Sequence, residues 1–121
     1  MENPKSKIYD LEDRTFKFAQ LVRRYISNLP KNTHTIEDGK QVIRSSGSIG
    51  ANYIEANDSF SSKDRILRLK ISKKEARETV YWLKLLNAPE ELIQEARELS
   101  LILATIIDKV SLKEKRRNAF K

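Results

Sequence analysis

The sequence is poor in the residues on which most non-helical folds depend. Its 121 residues include no cysteine, three glycines and three prolines. The lack of cysteine excludes disulfides, zinc fingers and thiol catalysis, so packing alone has to hold the fold together. Because turn-forming residues are few and 34% of the residues are charged, the composition predicts an all-α protein with a single hydrophobic core.

Long apolar runs and histidines are also scarce. The densest apolar run, LSLILATII, is interrupted by Ser100 and Thr105, and it is far shorter than the about 20 residues that span a bilayer. The stretch MENPKSKIYD lacks the apolar core of a signal peptide, so we expect a cytoplasmic protein with no membrane partner. A single histidine, His34, is a poor basis for a metal site or a catalytic centre. We therefore expect no cofactor, no metal and no enzymatic activity.

Apolar residues at helical spacing predict four helices. The expected spans and caps are 10–29 with Asp10 as N-cap, 35–57 with Thr35 as N-cap, 62–86 after a cap at Ser61 or Ser62, and a last helix from Pro89 to about 112. Because every connection is short, consecutive helices should be antiparallel neighbours. Residues 1–112 are thus expected to form an up-down-up-down four-helix bundle, and the segment 113–121 a disordered basic tail.

Positive charge is concentrated in two segments. The net charge is +7, with seven basic and two acidic residues in 63–77 and five basic and one acidic residue in 113–121. Such concentration favours polyanions, nucleic acid before anionic membrane, although a solvated helix face has the same composition. No reading helix or aromatic stacking platform is recognisable, so strong sequence specificity is not expected. The candidate phosphate contacts are Lys63, Lys70, Lys73, Lys74, Arg77, Lys113, Lys115, Arg116 and Arg117.

The third helix carries two apolar stripes. One has the spacing of a bundle core and comprises Ile66, Leu69, Ala76, Val80 and Leu83. The other lies on a different side and comprises Leu67, Ile71, Trp82 and Leu85. A small bundle has one interior, so we interpret the second stripe as an oligomer interface. The alternative is that the first helix, with Tyr9 and Phe16 on one side, covers it.

The stretch RSSGSIGANYIEAND places Gly47 and Gly50 inside a helical pattern, where each costs roughly 0.5–1 kcal/mol relative to alanine. Ser46 and Gly50 lie four residues apart on the apolar side, and these small residues predict the close approach of a neighbouring helix or of a bulky side chain such as Tyr25 or Trp82. The opposite side is a polar ridge, to which we assign a structural role with Asn52 and Glu55 buried and hydrogen-bonded. The ridge comprises Arg44, Ser48, Asn52 and Glu55.

These residues resemble a known family. RSSGSIGANYIEAND, followed by RLKISKKEARETVYWLKLL, is similar to the four-helix bundle proteins encoded by reading frames inside intervening sequences of bacterial 23S ribosomal RNA genes. The matching positions are Arg44, Ser48, Ile49, Asn52 and Glu55 on helix two, and Ser72 with Glu75 or Glu78 on helix three. The chain departs from many members, which have Glu-Gly, in having Ala56 after Glu55.

The resemblance implies a homopentamer with no enzymatic activity. A related accessory protein of diversity-generating retroelements binds nucleic acid and a reverse transcriptase, so RNA, DNA or such a protein partner is implied here as well. Two hypotheses follow. The favoured one is an oligomeric scaffold that binds nucleic acid with low sequence specificity. The other is a protein-interaction adaptor whose positive charge serves solubility or orients an acidic partner.

Overall fold

The computed structural model describes residues 10–119, which form four helices and contain no strand. The helices are α1 (Leu11–Ser27), α2 (Thr33–Asn57), α3 (Ser62–Leu85) and α4 (Glu90–Ala119). Each helix packs against the next in the chain, most extensively α2 against α3 and α3 against α4. The prediction of an all-α, up-down-up-down four-helix bundle is confirmed.

The helix ends follow local capping chemistry. Asn32, not Thr35, is the N-cap of α2: the Thr35 amide donates to Asn32 Oδ1 at 3.0 Å, and the Asn32 amide donates to Thr35 Oγ1 at 3.1 Å. This reciprocal arrangement is a capping box, in which both residues satisfy free amides of the first turn. At α3, Ser61 is the N-cap, the first of the two expected alternatives, and its hydroxyl accepts from the Asp64 amide. Asp10 occupies the N-cap position of α1 but makes no side-chain capping bond.

The segment that sequence composition marks as a disordered tail is helical as far as Ala119. Its residues Lys113 to Arg117 are all good helix formers, and cations in the last turn are favoured by the helix dipole. Because elongation adds one hydrogen bond per residue, a helix already formed at Val110 continues through them. At 30 residues, α4 is six residues longer than α3, so its basic end extends about 9 Å farther along the axis.

The core lies between the four helices and takes in the first apolar stripe of α3. Leu69, Ala76 and Leu83 are buried, whereas Ile66 and Val80, from the same expected stripe, are half-buried. Two buried polar contacts join α2 and α3: the hydroxyls of Ser45 and Thr79 lie 2.8 Å apart, and Ser72 Oγ donates to the Ile49 carbonyl at 2.7 Å. The other fully buried side chains are mainly aliphatic and include Leu11, Phe18, Val22, Val42, Leu99 and Leu103.

The glycines of α2 all face α1. An added Cβ at Gly50 would lie 2.7 Å from Thr15 Oγ1, and one at Gly39 would lie 3.2 Å from Ile26 Cγ2. Of the two expected alternatives, the close approach of a neighbouring helix is therefore confirmed at Gly50, where the nearest side chain is Thr15 and neither Tyr25 nor Trp82. Tyr25 instead donates its hydroxyl proton to the Leu86 carbonyl at 3.2 Å. Within residues 10–119, no helix combines the length and the apolar character that a bilayer span requires.

Candidate nucleic-acid interface

Four of the expected cations line one groove on the exposed face of α3. The groove has a volume of about 460 Å³ and is bordered by Lys70, Lys73, Lys74, Arg77, Glu78 and Tyr81. The helical repeat explains this grouping, because the buried residues of α3 lie on the opposite side of the helix. Lys63 is also exposed, and it precedes Lys70 by seven residues, which is close to two turns. It therefore continues the same basic face toward the start of α3.

A second groove adjoins the first where α3 packs against α4. It has a volume of about 440 Å³, shares Arg77 and Tyr81 with the first groove, and adds Val80, Lys84, Arg97, Ser100 and Leu101. The two grooves thus form a continuous surface, which we call the basic groove. Sequence reasoning missed its one aromatic residue, Tyr81, and two of its cations, Lys84 and Arg97. The first two follow Arg77 by four and seven residues, a spacing that places them on its face, whereas Arg97 is brought in by α4.

The cations near the end of α4 do not line the basic groove. Lys113, Lys115, Arg116 and Arg117 are all exposed on a helical segment. Lys115 follows Arg97 by eighteen residues, which is five helical turns, so it lies on the same side of α4. The other three point in other directions, and Arg117 forms an ion pair of 3.9 Å with Glu114. The structure therefore separates the candidate cations into one compact groove and one dispersed basic helix end.

The second apolar stripe of α3 is only partly exposed. Leu67 and Leu85 are 55% and 49% exposed, but Ile71 and Trp82 are half-buried, and Trp82 packs against the hydrophobic core. The Trp82 ring also contacts the Tyr81 ring edge to face, at 5.1 Å between centroids. The two exposed leucines remain available for a contact between subunits, whereas Trp82 already contributes to the bundle.

The polar ridge of α2 forms hydrogen bonds along its own helix. Ser48 Oγ donates to the Arg44 carbonyl and Asn52 Nδ2 donates to the Ser48 carbonyl, both at 2.9 Å. Asn52 is half-buried. Glu55, however, is exposed within the chain, so the prediction that it is buried is wrong for the single subunit. The ridge lies at the edge of the α2–α3 contact, and its far end faces solvent.

Arg44 connects the ridge to α3. Its guanidinium donates to Glu75 Oε2 at 3.2 Å and to Glu78 Oε2 at 2.9 Å. Burial by itself lowers the pKa of Arg44. The negative charges of Glu75 and Glu78 and their hydrogen bonds to the guanidinium outweigh this effect, so the pKa of Arg44 is raised above its ordinary value. Glu75 is the buried partner, with 8% exposure. The resemblance to the family named Arg44 and Glu75 or Glu78 as matching positions but did not say that they touch. The structure shows that Arg44 contacts both carboxylates.

The remaining polar clusters have structural roles. Arg14 makes a two-point contact with Glu95, with both hydrogen bonds at 2.7 Å, and the hydrogen bonding raises the pKa of Arg14 against the opposing effect of burial. This contact joins α1 to α4. His34 is exposed in the first turn of α2. Across residues 10–119, no three side chains of histidine, aspartate or glutamate are grouped as metal ligands would be.

Comparison with known proteins identifies relatives that cover most of the bundle. Residues 9–111 match the family model described as 23S rRNA-intervening sequence protein. The chain is also similar to a crystal structure from Bacteroides thetaiotaomicron, a protein with unknown function from the S23 ribosomal protein family. The two are 33% identical with a TM-score of 0.76, and the similarity covers 84% of this chain and 98% of the other. No curated protein matches the chain significantly.

Proposed function

The chain belongs to the 23S rRNA-intervening sequence protein family, and we propose that it is a non-enzymatic, homo-oligomeric scaffold that binds nucleic acid with low sequence specificity. The observation that carries this proposal is the basic groove. Lys70, Lys73, Lys74 and Arg77 converge there within about two turns of α3. Closely spaced cations on one surface are typical of a site that binds a polyanion.

The acidic residue in the groove does not cancel this charge. Glu78 borders the groove, but its carboxylate is held by Arg44 from outside the groove at 2.9 Å. Lys84 and Arg97 add two further cations along the α3–α4 contact, of which Arg97 forms an ion pair of 3.2 Å with Glu90. The groove therefore presents a positive surface over most of the length of α3. A ligand with a row of negative charges, such as the phosphates of a nucleic-acid backbone, matches this surface better than a protein partner with one acidic side chain does.

Assembly would multiply this surface. The resemblance implies a pentamer, and the exposed Leu67 and Leu85 of α3 are the subunit contacts we propose. Both residues lie beside the basic groove on the same helix, so a ring built through them would present several grooves at regular intervals. Many weak phosphate contacts then act together on one strand, which raises the overall affinity without any sequence readout.

A salt titration tests nucleic-acid binding. Each phosphate contact on duplex DNA adds about 0.9 to the slope of log affinity against log salt, so an assembly with about six contacts should weaken about a thousandfold between 50 and 200 mM salt. Replacing Lys70, Lys73 and Arg77 with glutamate should remove most of this slope. The matched control makes the same change in charge at Arg24, Lys31 and Lys40, which are exposed on α1, α2 and their connection, and it should retain most of the slope.

The assembly is tested separately by light scattering. Leu67→Glu with Leu85→Glu should yield a helical monomer, because both side chains lie largely outside the core. Leu112→Glu, at a position 49% exposed on α4, is the matched control and should leave the oligomer intact. A wild-type protein that is monomeric at micromolar concentration would remove the oligomer from the proposal.

The adaptor hypothesis rests on a different surface. A groove of about 550 Å³ between α1 and α2 is bordered by exposed Phe16 and Ile54 together with Ala19, Gly47 and Ala51. An apolar groove of this kind suits a protein segment better than a phosphate backbone. If the protein binds neither duplex DNA nor RNA in low salt, the adaptor becomes the better account of its function.

A further inference from the structure

Tyr81 occupies the centre of the basic groove. It is the one residue besides Arg77 that borders both parts of the groove, and it is 58% exposed. Its immediate neighbours in sequence, Val80 and Trp82, are half-buried, yet its own side chain projects on the solvent side of α3. A large exposed aromatic ring among cations has no role in the hydrophobic core and is available to a ligand.

The ring is held in place by its neighbour. Trp82 contacts it edge to face at 5.1 Å, and Trp82 itself packs against the hydrophobic core. An aromatic ring that is fixed from one side loses little conformational freedom when a ligand stacks on it. Across the groove, Leu101 of α4 is 67% exposed and supplies an apolar wall on the opposite side.

We propose that Tyr81 is a stacking platform for an unpaired base and that the groove accordingly binds single-stranded RNA or DNA. This inference rests on the proposed function and specifies its ligand. A flat aromatic surface between cations binds single strands by stacking the base while the cations contact the neighbouring phosphates. In a duplex the bases are stacked inside and only their edges are accessible, so an exposed tyrosine has nothing to stack on.

The spacing of the cations supports this arrangement. Arg77 lies four residues before Tyr81 and Lys84 three residues after it, so each is about one helical turn, or ~5 Å along the axis, from the ring. Arg97 approaches from α4 on the other wall. The ring therefore has a phosphate-binding side chain on either side along the helix, as a strand running through the groove requires.

The test compares an unstructured oligo(dT) strand with a duplex of equal length in the same low-salt buffer. We expect the wild-type protein to bind the single strand more tightly. Tyr81→Ala should weaken single-strand binding by about five- to 150-fold and leave duplex binding unchanged. Tyr81→Phe, which keeps the ring, should retain single-strand affinity, whereas Tyr81→Leu should not. Phe16→Ala, which removes an exposed ring from the α1–α2 groove, is the matched control and should change neither affinity.

A second measurement needs no variant. Oligonucleotides carrying a photoreactive 5-iodouracil should crosslink to Tyr81 in the wild-type protein, as located by mass spectrometry. Equal affinity of Tyr81→Ala and wild type for the single strand, or crosslinks only at other residues, overturns the stacking platform while leaving the proposed function standing. Failure of wild-type protein to bind either oligonucleotide overturns both.

Discussion

Gly47 and Gly50, two of the three glycines in α2, meet different side chains of α1, and exchanging each for alanine should have opposite effects on stability. At Gly47, an added Cβ would meet only the tip of the exposed Arg23 side chain, at 3.3 Å from Nη2. That tip can move, so Gly47→Ala should stabilise the folded state by about 0.5–1 kcal/mol through the higher helix propensity of alanine.

At Gly50 the same methyl group has no space. It would lie 2.7 Å from Thr15 Oγ1 and 3.2 Å from Thr15 Cβ. Thr15 is buried and its hydroxyl donates to the carbonyls of Leu11 and Glu12, at 2.8 and 3.0 Å, so it cannot swing away freely. Overpacking of this kind costs about 1–3 kcal/mol, which exceeds the propensity gain of about 1 kcal/mol. Gly50→Ala should therefore be less stable than Gly47→Ala by about 1–3 kcal/mol.

Urea unfolding followed by far-UV circular dichroism, at one fixed protein concentration, measures the free energy of unfolding of both variants. In a thermal melt, their midpoint temperatures should differ by about 3–10 °C for a chain of this size. The partner is identified by a double-mutant cycle. Thr15→Ala removes Oγ1, the atom nearest to the added methyl group, while keeping Cβ and breaking no bond between helices, so in that background Gly50→Ala should lose most of its cost. If Gly50→Ala is as stable as Gly47→Ala, or if its cost persists in the Thr15→Ala background, close packing of α1 on α2 is not the reason for the glycine.

Two further predictions concern buried polar groups. Ser72→Ala removes the hydrogen bond to the Ile49 carbonyl, which is 2.7 Å long and buried, and should lower the free energy of unfolding by about 0.5–1.5 kcal/mol; no change in the urea midpoint would contradict this. Burial raises the pKa of Tyr25 above its ordinary value of 10.0, so its contribution to stability is complete below that pH and is lost as the pH rises through the raised pKa. Between about pH 9 and 11, Tyr25→Phe should therefore lose less stability than the wild type, and equal losses would show that Tyr25 has no part in the alkaline transition.

The helix order was predictable from the sequence, because the apolar period and the connections leave little choice of topology. The helix ends were less predictable. Asn32 and Thr35 can each cap a helix, and only the backbone geometry decides that Asn32 does so while Thr35 completes the capping box. The basic segment after residue 112 has the composition of a solvated tail, but its residues 113–117 are good helix formers, and the preceding helix continues through it as far as Ala119.

The candidate site was predictable only where its residues share one helix. The spacing of Lys70, Lys73, Lys74 and Arg77 places them together whatever α3 packs against. Arg97 reaches the groove through the packing of α4 on α3, which no local pattern specifies. The exposure of Glu55 was missed for a related reason: helical periodicity shows which residues share a face, not whether a neighbouring helix covers it.

The motif shared with the family and the basic groove are connected through Arg44. By pairing with Glu78, Arg44 offsets the charge of the acidic residue that borders the groove. Arg44→Met should therefore weaken nucleic-acid binding by up to about fivefold per subunit, the scale of a surface ion pair, although Arg44 does not itself border the groove. Adding Glu78→Gln in the same chain should restore affinity. Arg24→Met, which removes the same charge from exposed α1, is the control and should bind like the wild type. If Glu78→Gln restores nothing, Arg44 acts through stability or assembly and not through the charge of the groove.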